Sequence, residues 1–242
     1  MLFRSRSQPG FASTAEAMSG FAGLSGDPDG PPLLPPIALT DEVTGLVAAF
    51  ATMVAVHSGV GQVVDVSLLE SIFQLMSPLV TLYGLTGEMQ GRLGSRIPYT
   101  VPRGTFQCAD GGWIGVSSSS DSVAARLMQL LGIDDDARFA TFAARVEHRD
   151  ELEQLVRDWC MRRTVAEALR EMEAADVAAG PVLDMAGIAE DPHIAARGDI
   201  VELDGTPMQG LIARLSATPG ALRWQGRPKD ADGQEIRTKG WN

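Results

Sequence analysis

Cysteine is nearly absent from this chain of 242 residues: there are two, Cys108 and Cys160, alongside three histidines, His57, His148 and His193. Two thiols exclude a disulfide framework and leave reduced cysteines as the expectation. No group of Cys and His has metal-ligand spacing, so no metal site is expected. Basic residues are also scarce, 20 Lys and Arg against 31 Asp and Glu, giving a formal net charge of −11. That balance excludes a nucleic-acid partner, because phosphate binding needs a basic footprint. No stretch reads as a membrane span, and the arginines of Met1-Leu-Phe-Arg-Ser-Arg-Ser7 precede no signal-peptide core, so no membrane partner is expected and the cytoplasm is the expected address. Internal repeats and a glycine-rich strand-to-helix phosphate loop are absent as well.

With 45% hydrophobic and 21% charged residues, the chain can bury a sizeable core in one or two domains. Its patterning is α/β. Gln62 to Leu68 predicts a buried strand, and Leu69 to Tyr83 a helix kinked at Pro78. Asp110-Gly-Gly112 predicts a turn ahead of a strand from Trp113 to Ser117. Helices follow over Ser122–Leu131, Arg149–Met161 and Val165–Ala175, the last opened by the capping box Thr164-Val-Ala-Glu167. Asp199–Leu203 and Gly210–Ser216 predict two further strands before a polar tail.

The stretch Leu39-Thr-Asp-Glu-Val-Thr-Gly45 runs into a segment in which, as far as His57, only Thr52 and His57 are polar. A helix so uniformly apolar is expected to be buried on most sides. Asp41 stands at its start, and two readings apply. It is an N-cap, accepting a hydrogen bond from the amide of Val43 or Thr44, or it is a nucleophile held at the mouth of a buried helix. Glu42 points away from Asp41 and is expected to complement the helix dipole. His57 reads as a dipole partner at the helix end, His148 as part of a solvated charged face in Arg145-Val-Glu-His-Arg-Asp150, and His193 as a turn residue after Asp191-Pro192.

Several pieces occur in one order along nearly the whole chain: Pro9-Gly-Phe with Glu16-Ala-Met-Ser-Gly-Phe-Ala-Gly23, Gly26-Asp-Pro-Asp-Gly-Pro-Pro32, the Asp41 segment, Gly61-Gln-Val-Val-Asp-Val-Ser-Leu-Leu-Glu70, Phe106-Gln-Cys-Ala-Asp-Gly-Gly-Trp113, and Gly180-Pro-Val with Asp191-Pro-His193. In this the sequence resembles the class III CoA-transferases of the formyl-CoA and carnitine type, a family that includes the α-methylacyl-CoA racemases. The resemblance implies that Asp41 is the aspartate that attacks the acyl-CoA thioester. It implies a Rossmann-like large domain (1–104, with 192–242 returning to it), a smaller α+β domain (105–191), and a homo-oligomer or hetero-oligomer. The substrates it implies are an acyl-CoA and a small carboxylic acid, with no prosthetic group.

In that chemistry a carboxylate attacks the thioester, giving a mixed anhydride and CoA thiolate, and the thiolate then forms an aspartyl-CoA thioester. A carboxylate needs no separate base, since an ordinary aspartate has a pKa of about 3.9. The developing oxyanion needs donors, and the candidates are the amides of Val43, Thr44 and Gly45 and those around Gly91 and Gly94. The polyanion CoA also needs a local exception to the acidic field. Arg92-Leu-Gly-Ser-Arg-Ile-Pro-Tyr-Thr-Val-Pro-Arg103 supplies three arginines and no acid; it reads either as an ordinary exposed loop or as an anion site in which Arg96 and Arg103 hold a CoA phosphate or a substrate carboxylate.

Racemases carry a histidine in a Gly-His-Asp context about thirty residues before the aspartate, where this chain has Gly10-Phe-Ala. Phe11 cannot shuttle a proton, which argues for transfer. Relative to the resembling family the chain lacks roughly the first third, where most of the nucleotide is held, and the turn after His57 is shorter. Three explanations stand open: a partner chain that supplies the missing part, a truncated inactive homologue, or a non-catalytic scaffolding subunit.

Overall fold

The structure is a computed structural model that describes residues 9–118, 120–226 and 228–240; the N-terminal Met1–Ser7 reading lies outside the described residues. The chain divides into two compact units, 1–181 and 182–242.

The first unit begins with helices α1 (Ala12–Met18), α2 (Phe21–Leu24), α3 (Leu39–Ser58), α4 (Leu68–Gln74) and α5 (Leu79–Thr86). The expected helix after Leu69 is thus two, α4 and α5, which meet at an angle of 71° around Pro78. A three-stranded antiparallel sheet follows, built from β1 (Arg103–Gln107), β2 (Trp113–Ser117) and β3 (Ala179–Pro181) in that order. Between β2 and β3 lie α6 (Asp121–Leu131), α7 (Phe142–Glu147), α8 (Arg149–Cys160) and α9 (Val165–Ala174).

The core gathers residues between Val101 and Val177. Phe106, Ile114 and Val116 from one face of the sheet pack with Leu127 of α6, Leu152 and Val156 of α8, and Met172 of α9. Alternation along the strands decides which face is buried: Phe106 pairs with Ile114 and both point into the core, whereas Thr105 pairs with Gly115 on the other face. The turn at Asp110–Gly112 forms as expected. Gly111 has φ +83, a Cβ on Gly112 would come within 2.6 Å of Val165 Cγ2, and so the turn accepts glycine at both places. Asp110 has two duties, accepting from the Gly112 amide at 3.2 Å and from the Val165 amide at 3.0 Å, so the hairpin also caps α9.

The capping box of α9 is present, with the Glu167 amide donating to Thr164 Oγ1 at 3.3 Å and the Thr164 amide donating to Glu167 Oε2 at 2.9 Å. Thr164→Ala is expected to destabilise the first unit by about 1 kcal/mol, the usual worth of such a cap, as read by urea denaturation.

Three sequence expectations change here. Helix α3 is largely exposed: of its residues only Thr40 is buried, and Leu46, Phe50, Met53 and Val56 are each more than 60% exposed. A helix apolar on all sides needs cover on all sides, and within this unit α1 and α4 pack against it. Its full extent of 20 residues is longer than the apolar run from Gly45 to His57, and an 18-residue window within it has a mean hydropathy of 1.5. That is long and apolar enough to cross a membrane, contrary to the sequence reading. Residues 62–67 form no strand, and Val63 is 92% exposed. A strand needs a ladder neighbour, and the expected large-domain sheet has none among the described residues.

In the second unit α10 (Met185–Glu190) and α11 (Pro192–Arg197) are capped by Asp184 and Asp191, and β4 (Ile200–Leu203) pairs with β5 (Thr206–Gln209) in an antiparallel hairpin. The second strand therefore lies before Gly210–Ser216, where none forms, because Asp204 (φ 51) and Gly205 (φ 76) close a two-residue turn. The polar tail contains a helix, α12 (Gly233–Lys239). Mixed helices and small antiparallel sheets make the chain an α/β protein, as expected.

Candidate active site

Asp41 is the third residue of α3, whose N-cap is Ala38, so it is not the N-cap itself. Helix bonding begins with the Glu42 amide donating to the Ala38 carbonyl at 3.0 Å. The amides of Val43, Thr44 and Gly45 consequently lie inside the helical ladder. Those of Thr40 and Asp41 have no acceptor among the described residues, as expected for the first turn of a helix. The Asp41 carboxylate is exposed and makes no hydrogen bond or ion pair with the described residues. Thr40 is fully buried, so the amide open to a ligand is that of Asp41; an accessible carboxylate beside it, at the positive end of a 20-residue helix, can bind or attack an electrophilic carbonyl and stabilise the resulting oxyanion.

The first turn is tied down from beneath. Thr40 Oγ1 donates to Glu16 Oε1 of α1 at 2.7 Å, with both residues buried. Thr44 Oγ1 donates back to the Thr40 carbonyl at 2.7 Å, so the hydroxyl is occupied, and the Thr44 amide expected to serve an oxyanion lies in the helical ladder. Gly45 has open space where a Cβ would stand. Sequence reasoning noted Glu16 within a motif without giving it a role. Nothing local marks it: of α1 only Ala15 and Glu16 are buried, and the neighbouring small residues Ser13, Thr14 and Ala17 are exposed.

The basic loop joins two of the motifs. The Gly94 amide donates to the Gly26 carbonyl at 2.9 Å, and Arg92 Nε donates to the Asp27 carbonyl at 3.1 Å. The Gly94 amide is therefore spent and cannot serve an oxyanion. Arg96 is engaged with acids of α8, 2.6 Å from Asp150 and 2.6 Å from Glu153. Burial works to lower the Arg96 pKa, but the two carboxylates outweigh it and the net direction is up. Burial pushes the Glu153 carboxyl up against the opposing pull of Arg96. Arg149, which donates to the carbonyls of Ile97 and Pro98, is pushed down by burial. Arg103 Nη1 donates to the Ser95 carbonyl at 2.5 Å. It borders an open hollow of about 660 Å³ that Ser95, Thr105, Gly115 and Ser117 also line. Arg103 thus keeps its place beside a space a ligand can enter, while Arg96 serves an ion pair. Of the histidines, His148 contacts Glu151 at 3.1 Å, and the His193 amide donates to Asp191 at 2.8 Å. No group of three metal-ligating side chains lies together among the described residues.

The model of CoA-transferase family III matches residues 4–233. The chain belongs to CoA-transferase family III. Among its relatives in the family, the succinyl-CoA–D-citramalate CoA-transferase of Chloroflexus aurantiacus is 35% identical over 245 residues, which cover 96% of this chain and 61% of the relative. The succinyl-CoA–L-malate CoA-transferase beta subunit of the same organism is 34% identical, again over 96% of this chain and 61% of the relative. The crystal structure of a CAIB/BAIF family protein from Brucella suis superimposes with a TM-score of 0.82 at 27% identity, covering 98% of this chain and 64% of that one. This family member therefore spans about three-fifths of the length of the relatives it matches.

Proposed function

We propose that this chain moves CoA from an acyl-CoA thioester to a carboxylic acid through covalent intermediates on Asp41. The observation that carries the reading is the exposed Asp41 carboxylate, unpaired among the described residues and beside its own free amide, in a chain of this family. One carboxylate oxygen attacks the thioester carbonyl, the tetrahedral oxyanion takes a hydrogen bond from the Asp41 amide, and the C–S bond breaks to give a mixed anhydride and CoA thiolate. The thiolate attacks the aspartyl carbonyl, releasing the donor acid and forming an aspartyl-CoA thioester. The acceptor carboxylate attacks that thioester, giving a second anhydride and thiolate. Attack of the thiolate on the acceptor's carbonyl then yields the new acyl-CoA and restores Asp41. Protons do not enter the balance.

Both Chloroflexus relatives are named for succinyl-CoA, which makes it the first donor to test. Arg103, beside its hollow, is our candidate for holding a substrate carboxylate or a CoA phosphate; Arg96 is the weaker candidate because its acids already neutralise it. We assign the chain to an oligomer in which further polypeptide covers α3, since large exposed apolar surfaces mark interfaces, and one relative is itself named as a subunit. The division into 1–104, 105–191 and 192–242 belongs to the same proposal, supported by the core between Val101 and Val177. So does a cytoplasmic location, where acyl-CoA donors are made and used.

The test is intact and peptide mass spectrometry after incubation with succinyl-CoA and hydroxylamine, on the chain alone and on its assembly isolated from the source cells. A hydroxamate on Asp41 in either sample supports the reading and identifies the competent form. Bound CoA with Asp41 unmodified in both would leave the scaffolding role.

A further inference from the structure

We propose that Glu16 is a positioning residue for Asp41, acting through the Thr40 hydroxyl. The inference rests on the reading of Asp41 as nucleophile, but its evidence is separate. Glu16 is 3% exposed and Thr40 fully buried, and the 2.7 Å hydrogen bond between them joins α1 to the first turn of α3. Thr40 immediately precedes Asp41 and is the one buried residue of that 20-residue helix. The rest of α3 presents Leu46, Phe50, Met53 and Val56 outward, and among the described residues the Thr40–Glu16 bond is the one side-chain hydrogen bond that ties the first turn to another element. The Thr40 carbonyl also accepts the Thr44 hydroxyl at 2.7 Å, so one residue is held at both its hydroxyl and its carbonyl.

A buried carboxylate needs a donor, and a buried hydroxyl needs an acceptor. Each is the other's partner here, and a short charge-assisted bond of this kind fixes direction as well as distance. The Asp41 side chain has no bonds to the described residues that would hold it, so the backbone from which it projects sets its line of attack. An ångström of displacement in a reacting group can cost about a hundredfold in rate. Glu16 touches no reacting atom in this scheme; it fixes the platform.

The experiment compares Glu16→Ala, Glu16→Gln, Thr40→Val and Thr40→Ser with wild type and Asp41→Asn, in whichever form, chain or assembly, gives the Asp41 hydroxamate. Steady-state kinetics with succinyl-CoA are measured together with the single-turnover rate of Asp41 modification. Glu16→Ala and Thr40→Val are expected to lower kcat and the modification rate by about 10- to 100-fold, with KM for the acyl-CoA within about twofold. Glu16→Gln keeps an acceptor oxygen and Thr40→Ser keeps the hydroxyl, so both are expected to stay within about threefold of wild type. Thr40→Val is nearly isosteric and carries the test if Glu16→Ala does not fold. Wild-type modification rates in folded Thr40→Val, a rise in KM in place of a fall in kcat, or equal losses in the conservative and non-conservative variants would overturn the positioning role. Asp41→Asn with full activity would instead overturn the nucleophile reading, whatever the Glu16 variants do.

Discussion

Asp41→Asn is expected to lower CoA transfer by at least about 10⁴-fold, the scale seen when a covalent nucleophile is removed, with little change in stability. The carboxamide has nearly the same shape but no anionic oxygen, so it neither attacks a thioester nor carries CoA as a thioester. The stability side of the prediction follows from the surroundings. The carboxylate is exposed and unpaired among the described residues, so its removal costs only the favourable interaction of a negative charge with the helix N-terminus, about 0.3–1 kcal/mol. A large loss of rate with a small loss of stability separates a reacting group from a structural one. Chromatographic separation of the two acyl-CoA species gives the rate, and urea denaturation gives the stability. Exchange at more than a hundredth of the wild-type rate would mean that CoA passes between the acids without this carboxylate.

The elements legible in the sequence are those whose signals are local. The capping box at Thr164 and the turn at Asp110 put the start of α9 and the hairpin before β2 where they were expected, because the same residues that signal them make the hydrogen bonds. The core helices α6, α8 and α9 were equally readable, since an apolar stripe at helical spacing needs only one covering layer. One local signal was overlooked: Asp204-Gly205 is a two-residue hairpin turn, and it puts β5 at Thr206–Gln209.

What was not legible depends on partners distant in sequence. The apolar composition of α3 reports that the helix is to be covered, not that this chain covers it. Val63 and its neighbours have strand propensity, yet propensity cannot supply a ladder. The start of α3 at Leu39, capped by Ala38 without a side-chain bond, moved Asp41 from cap to first turn and exchanged the free amides of Val43 and Thr44 for that of Asp41. The bond from Glu16 to Thr40 spans 24 residues and the bonds from Arg96 to its acids more than 50. Nothing in either local sequence announces them.

That long-range pair changes what Arg96 is for. Arg96→Ala is expected to destabilise the first unit by about 3 kcal/mol at pH 8, the cost of leaving a buried carboxylate without its partner. Glu153 is 3% exposed, its Oε1 has no hydrogen-bond partner among the described residues, and its Oε2 depends on Arg96 at 2.6 Å. Burial already raises the Glu153 pKa from its ordinary 4.5, and Arg96 is the first of the groups that hold it down. Removing the arginine raises it further. A carboxyl whose folded pKa lies above its unfolded value binds more protons in the folded state, so its contribution to stability is fully present below the unfolded pKa and is lost as pH rises through the folded one. The variant should therefore lose more stability than wild type between pH 5 and pH 8, and the gap between the two should narrow on acidification. Adding Glu153→Gln removes the charge that needs pairing, and is expected to recover most of the loss at pH 8 and to flatten the pH dependence. Urea denaturation of the three proteins at both pH values measures this. A loss that is the same at pH 5 and pH 8 would assign Arg96 a packing role. No loss at all would free its guanidinium for the anion site that the basic loop first suggested.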